Sequence, residues 1–150
     1  MTQTIPLPDD SQVPTYRVVS AMLAEGYTKH YDGYFDLHRA GFNNLFPTEF
    51  PAIGQLAVAV TVTRADDDRF MPGEAMTVNV DLVDPDGEAE RVGALSWIQD
   101  KDLPDAPAPL AQTVLVDVAP IVRKPGVHMV RVSITEGMTP VELPLFVSRA

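Results

Sequence analysis

Apolar and polar residues alternate along most of this chain with a period of two, the spacing that turns one side of a β-strand into a core and leaves the other side outward. The clearest run is Leu56 to Arg64, with Leu56, Val58, Val60 and Val62 on one face and Ala57, Ala59, Thr61 and Thr63 on the other. Ala75 to Val83 repeats the pattern with Met76, Val78, Val80 and Leu82 inward and Asn79 and Asp81 outward. Arg91 to Ile98 places Leu95 and Trp97 on alternate positions, and this Trp is expected to anchor the core. Gln112 to Val118 aligns Val114, Val116 and Val118. Near the end, His128, Val130, Val132 and Ile134 share one face, Thr135 to Met138 reverses the chain, and Val141, Leu143, Leu145 and Val147 follow, which predicts an antiparallel hairpin with one apolar side. Tyr16 to Ala24 fits either a strand or a helical stripe, and its neighbours favour strand.

Turn chemistry separates these runs. The chain has 14 prolines and 9 glycines, spaced between short Val-rich segments in a way that opposes long helices. Asp32-Gly33 between Tyr27 to Tyr31 and Tyr34 to Arg39 is a strong hairpin signal, and Asp84-Pro85-Asp86-Gly87 has the composition of a tight turn. Gly41 to Pro51 offers Phe42, Leu45, Phe46 and Phe50 as an apolar lid. Gln99 to Ala111 holds three prolines and no alternation, as expected of an extended crossover between sheets. The expectation is an all-β, two-sheet antiparallel β-sandwich of about eight strands with Greek-key connections. Residues 1–14, with prolines at positions 6, 8 and 14, read as a flexible arm, and residues 15–150 as one domain.

Composition narrows the partners. A formal charge of -10 opposes contact with phosphate backbones and anionic membranes, so neither nucleic acid nor membrane is an expected partner. There is no cysteine, which excludes a disulfide framework, a thiol nucleophile and a cysteine zinc site. With no secretion signal and no long apolar run, the expected location is the cytoplasm.

Candidate chemistry is sparse. The sequence lacks a Gly-rich phosphate loop, a nucleophile elbow and a His-Glu-x-x-His motif. His30 and His38 flank the Asp32-Gly33 turn, and a metal site there would need both on one face with a third ligand such as Asp36. His128 has the parity of Val130 and Val132 but begins its strand beside Gly126, where its polar tip is expected to reach solvent. Asp81, Asp84 and Asp86, joined by Asp66 to Asp68, are weak calcium candidates, because oxygen-rich loop clusters hold that ion in some sandwich domains. Turn preference alone also explains Asp-Pro-Asp-Gly. No cofactor is expected.

A resemblance runs from Tyr16 to Val147. The Asp32-Gly33 hairpin, Ala40-Gly41-Phe42, Leu45-Phe46-Pro47, Val83 to Gly87, Pro125 to His128 and Leu143 to Val147 are together similar to an uncharacterised family of small bacterial β-sandwich proteins. That resemblance implies an immunoglobulin-like or C2-like fold and no activity. The function expected is a non-enzymatic interaction or assembly module, binding a protein partner or a second copy of itself through the arm residues Ile5 and Leu7 and the lid residues Phe42 and Phe46. The alternative is a ligand- or calcium-binding sandwich that uses the acidic loops.

Overall fold

A computed structural model describes residues 16–32, 34–64, 70, 73–99, 111–134 and 140–150. Ile5 and Leu7 of the expected arm, Asp66 to Asp68, most of the Pro-rich crossover and the turn from Thr135 to Met138 lie outside the described residues. Within them the chain is all-β, with no helix and twelve strands: β1 (Tyr16–Ala24), β2 (Gly26–Lys29), β3 (Phe35–His38), β4 (Asn44–Leu45), β5 (Ala52–Ile53), β6 (Leu56–Arg64), β7 (Ala75–Val83), β8 (Ala89–Ile98), β9 (Ala111–Val118), β10 (Ile121–Val122), β11 (Gly126–Ile134) and β12 (Val141–Val147). The excess over the expected eight comes mainly from β4, β5 and β10, two-residue strands inside segments that carry no alternation of their own.

Two principal sheets have the orders β1-β6-β9 and β4-β12-β11-β7-β8, and two small ribbons, β5-β10 and β2-β3, complete the fold. All pairings are antiparallel except β12 with β4. The inward stripes of both principal sheets meet in one core. Val58, Val60 and Val62 of β6, Val78 and Val80 of β7, Val116 of β9 and Val130 and Val132 of β11 are all fully buried there. Because β-branched side chains suit a pleated, covered surface, these valines both favour strand and fill the space between the sheets.

Trp97 does not occupy the centre. It lies half-buried against the core on the edge strand β8, and the largest fully buried side chains are Phe70, Met76, Ile134 and Leu145. Ala57 and Ala59, on the outer face of β6, are nevertheless buried. The β2-β3 hairpin reaches that face, where the Tyr27 hydroxyl donates to Asp117 Oδ2 across 3.2 Å, and Asp117 is the register partner of Ala57. Small side chains let this extra layer approach.

The edge strands β8 and β9 of the two principal sheets come together, at one end through Gln99 and Gln112 and at the other through the backbone. A bulge between Val80 and Asp81 leaves Val92 of β8 as an extra residue, and its carbonyl accepts the amide of Ala119, just beyond β9, at 3.2 Å. Next to it, Gly93 approaches so closely that a β-carbon there would lie 2.6 Å from the carbonyl oxygen of Asp117. This contact fixes which ends of the two sheets coincide.

Candidate functional site

With that alignment, the turns after β1, β4, β7 and β9 gather at one end of the molecule. Two connections cross there between the sheets, from β4 to β6 and from β9 to β11, and each satisfies part of its backbone on the other. Ile53 pairs with Ile121 and Ala52 with Val122, and the Gly54 amide donates to the Pro120 carbonyl at 2.8 Å. The ribbon alternates as any strand does. Val122 is fully buried and Ala52 packs on the core, while Ile53 is 74% exposed.

Two recesses flank this ribbon. One, of about 430 Å³, is lined by Leu45, Phe46, Pro47, Pro51, Ile53 and Val122, among others. Its rim carries Phe46, 63% exposed, beside Ile53. The other, of about 440 Å³, lies between the β7-β8 turn and the Ile121 to Lys124 segment, with Leu82, Glu88, Glu90, Arg123, Lys124 and His128 in its wall.

The calcium candidates do not converge in either recess. Asp81 faces outward from the last turn-side residues of β7, where its Oδ1 accepts from Arg91 Nε at 2.6 Å. It stands in a row of alternating charge across four strands, Glu142, Arg131, Asp81 and Arg91, in which Arg131 also donates to Glu142 Oε1 at 3.2 Å. Asp84 Oδ1 accepts the backbone amides of Asp86 and Glu88, both at 2.9 Å, and so builds the turn. Asp86 is ion-paired with Lys124. Among the described residues no group of three or more histidine and carboxylate side chains is placed to hold a metal ion.

The other histidines are equally committed. On the β2-β3 hairpin, His30 Nε2 lies 2.8 Å from Asp36 Oδ2 and His38 Nε2 lies 2.7 Å from Thr28 Oγ1, so Asp36 serves one ring and not both. His128 departs from the expectation that its tip reaches solvent, because it is 1% exposed. Its Nδ1 is 3.3 Å from the Gly126 carbonyl, and the crossing segment after β9 closes over the strand start that the sequence leaves open.

The two lid aromatics separate. Phe42 packs on the core with the Arg39 guanidinium 5.5 Å from its ring centre, whereas Phe46 projects. Sequence reasoning missed Ile53, Glu88, Arg123 and Lys124. No alternation of apolar and polar residues marks their segments, since Ala52 and Ile53 are both apolar and differ only in the burial that the fold gives them.

No protein-family profile matches the chain, and no curated protein is similar to it. No helix of the described residues is long and apolar enough to cross a membrane.

Proposed function

We propose that this chain is a non-enzymatic binding module, an immunoglobulin-like or C2-like β-sandwich of the kind the resemblance implies, which holds a protein partner at its loop end. Two facing sheets with a shared core and connections crossing at one end support the sandwich reading. The observation that carries the function is the pair Phe46 and Ile53, 63% and 74% exposed, on the rim of a cleft of mixed polarity that also holds Leu45, Pro47, Pro51 and Glu49. Large apolar side chains grouped around a concavity mark interaction surfaces, and aromatic residues dominate binding hot spots. Glu49 on the same cleft and the formal charge of -10 select a partner whose apolar anchor is flanked by basic residues. A cytoplasmic location is part of this reading, and the cysteine-free composition is compatible with it. The acidic-turn calcium site is not proposed, since Asp81, Asp84 and Asp86 are held by Arg91, by backbone amides and by Lys124.

A photo-crosslinking residue placed at position 46 or 53, in the cells that make this protein, is expected to give one discrete adduct. Position 77, on the outer sheet face, should not. The captured protein, once purified, should bind Phe46→Asp at least about ten-fold more weakly than wild type, a loss of about 1.4 kcal/mol. Adducts that are the same at positions 46 and 77, or an unchanged affinity of Phe46→Asp, overturn the reading.

A further inference from the structure

We propose that the outer face of the five-stranded sheet is a two-fold interface, on which a second copy of this chain docks through the same face. The proposal is independent of the cleft at Phe46. The outward residues of β12, β11, β7 and β8 stand in rows across the strands, aligned by the pairing register. One row is Pro144, Met129, Val83 and Ala89, and beside it lie Phe146 and Val127, 40% and 47% exposed. An antiparallel sheet that shows one face to water carries polar residues on that face. Here six apolar side chains adjoin one another instead, and such a patch marks a contact surface.

Charge selects the occupant. The next row reads Glu142, Arg131, Asp81 and Arg91, so its signs run minus, plus, minus, plus. All four side chains reach solvent, from 21% at Asp81 to 55% at Arg91. Two carboxylates and two guanidiniums cancel, so this row does not carry the formal charge of -10 that keeps the chains apart elsewhere. A partner of one sign would meet a like charge at every second position.

An alternating row of four becomes its own complement when it is reversed. A two-fold axis parallel to the strands, passing between Arg131 and Asp81, performs that reversal. Glu142 then lies opposite the second copy's Arg91, and Arg131 opposite its Asp81. The same rotation keeps the apolar rows at one end, where Met129 meets the second copy's Val83 and Pro144 its Ala89. One operator satisfies both features, as a self-complementary contact requires. Stacked sheets cross at about 30°, so the contact fades toward the other end of the face, where Thr77 and Ser96 hydrogen-bond to each other. An interface of a few rows is small, and the dimer should be reversible with a dissociation constant in the micromolar range.

Sedimentation equilibrium of the full chain, with variants alone and mixed, tests the operator. Arg131→Glu sets carboxylates against each other across the axis, and Asp81→Arg sets guanidiniums against each other, so each variant alone should dimerise at least about ten-fold more weakly than wild type. Mixed, their rows read minus, minus, minus, plus against plus, plus, plus, minus, and a heterodimer of near wild-type strength is expected. Both positions reach solvent, so the variants should fold. Val127→Asp leaves the charged row intact and should also weaken the dimer about ten-fold. Four outcomes overturn the proposal: a wild type that stays monomeric at about 1 mM, single charge variants that dimerise as wild type does, a mixture that associates no better than its components, or an undiminished dimer of Val127→Asp.

Discussion

Replacing Gly93 by alanine tests the contact that aligns the two sheets. The new methyl group would sit 2.6 Å from the Asp117 carbonyl oxygen and 3.4 Å from Val116 Cγ1 and Val118 Cγ2. The oxygen is backbone, so no side-chain rotation relieves the overlap, and β8 must move away from β9. Overpacking of this kind costs about 1–3 kcal/mol. If the shift also breaks the bond from the Ala119 amide to the Val92 carbonyl, about 1 kcal/mol is added, for a total of about 2–4 kcal/mol. For a chain of this length that corresponds to a fall in Tm of roughly 4–16 °C. The internal control is Gly26→Ala, where a β-carbon meets nothing within 4 Å and no positive φ is involved. That change should be neutral, or stabilising by up to about 1 kcal/mol through the unfolded chain. Urea unfolding of both variants, with the slope unchanged from wild type, gives the comparison directly. A Gly93→Ala variant within about 0.5 kcal/mol of wild type would refute the reasoning, because surface substitutions alone produce that much.

Other expectations follow from the same geometry. Gln99 and Gln112 exchange two amide hydrogen bonds, at 2.7 and 2.8 Å, with Gln99 buried and Gln112 half-buried, so Gln99→Leu should lose about 1 kcal/mol by removing its partner's hydrogen bonds. Adding Gln112→Leu should recover part of that loss, and a double-mutant cycle in urea measures the coupling. Asp81→Asn should cost less than about 1 kcal/mol despite the 2.6 Å bond to Arg91, since the pair stands on the open sheet face and salt should shrink the effect further. The hydrogen bond to Asp117, then partial burial, then the Asp117 charge raise the phenol of Tyr27 above its usual value of 10. A raised value in the folded state means the contribution is present below pH 10 and is lost as pH climbs through the folded value, and Asp117→Asn should bring the ultraviolet titration of Tyr27 back down. Millimolar calcium should leave the melting temperature unchanged, because the turn carboxylates already have partners, and a clear rise would restore the acidic turn as a cation site.

What the sequence determined by itself is the set of long strands and the faces they bury. Alternation is a local property, and Val58, Val60, Val78, Val80, Val130 and Val132 declare their side of the sheet through spacing alone. The all-β class and the Asp32-Gly33 hairpin follow from the same short-range chemistry. Tertiary structure decided everything that depends on a partner far along the chain. Ile53 and Ile121 form a ribbon only because two connections cross at one end, and that crossing buries His128 and opens a recess on either side of the ribbon. Asp81, Asp84 and Asp86 look like a cation cluster in sequence. In space, cross-strand pairing commits one to Arg91, turn formation commits the second to backbone amides, and the loop before β11 brings Lys124 to the third. Phe42 and Phe46 are four positions apart and chemically identical, and only the tertiary fold puts one against the core and leaves the other in the open. A side chain's face is set by its neighbours in sequence, but its exposure and its charge partner are set by whatever distant segment the fold lays over it.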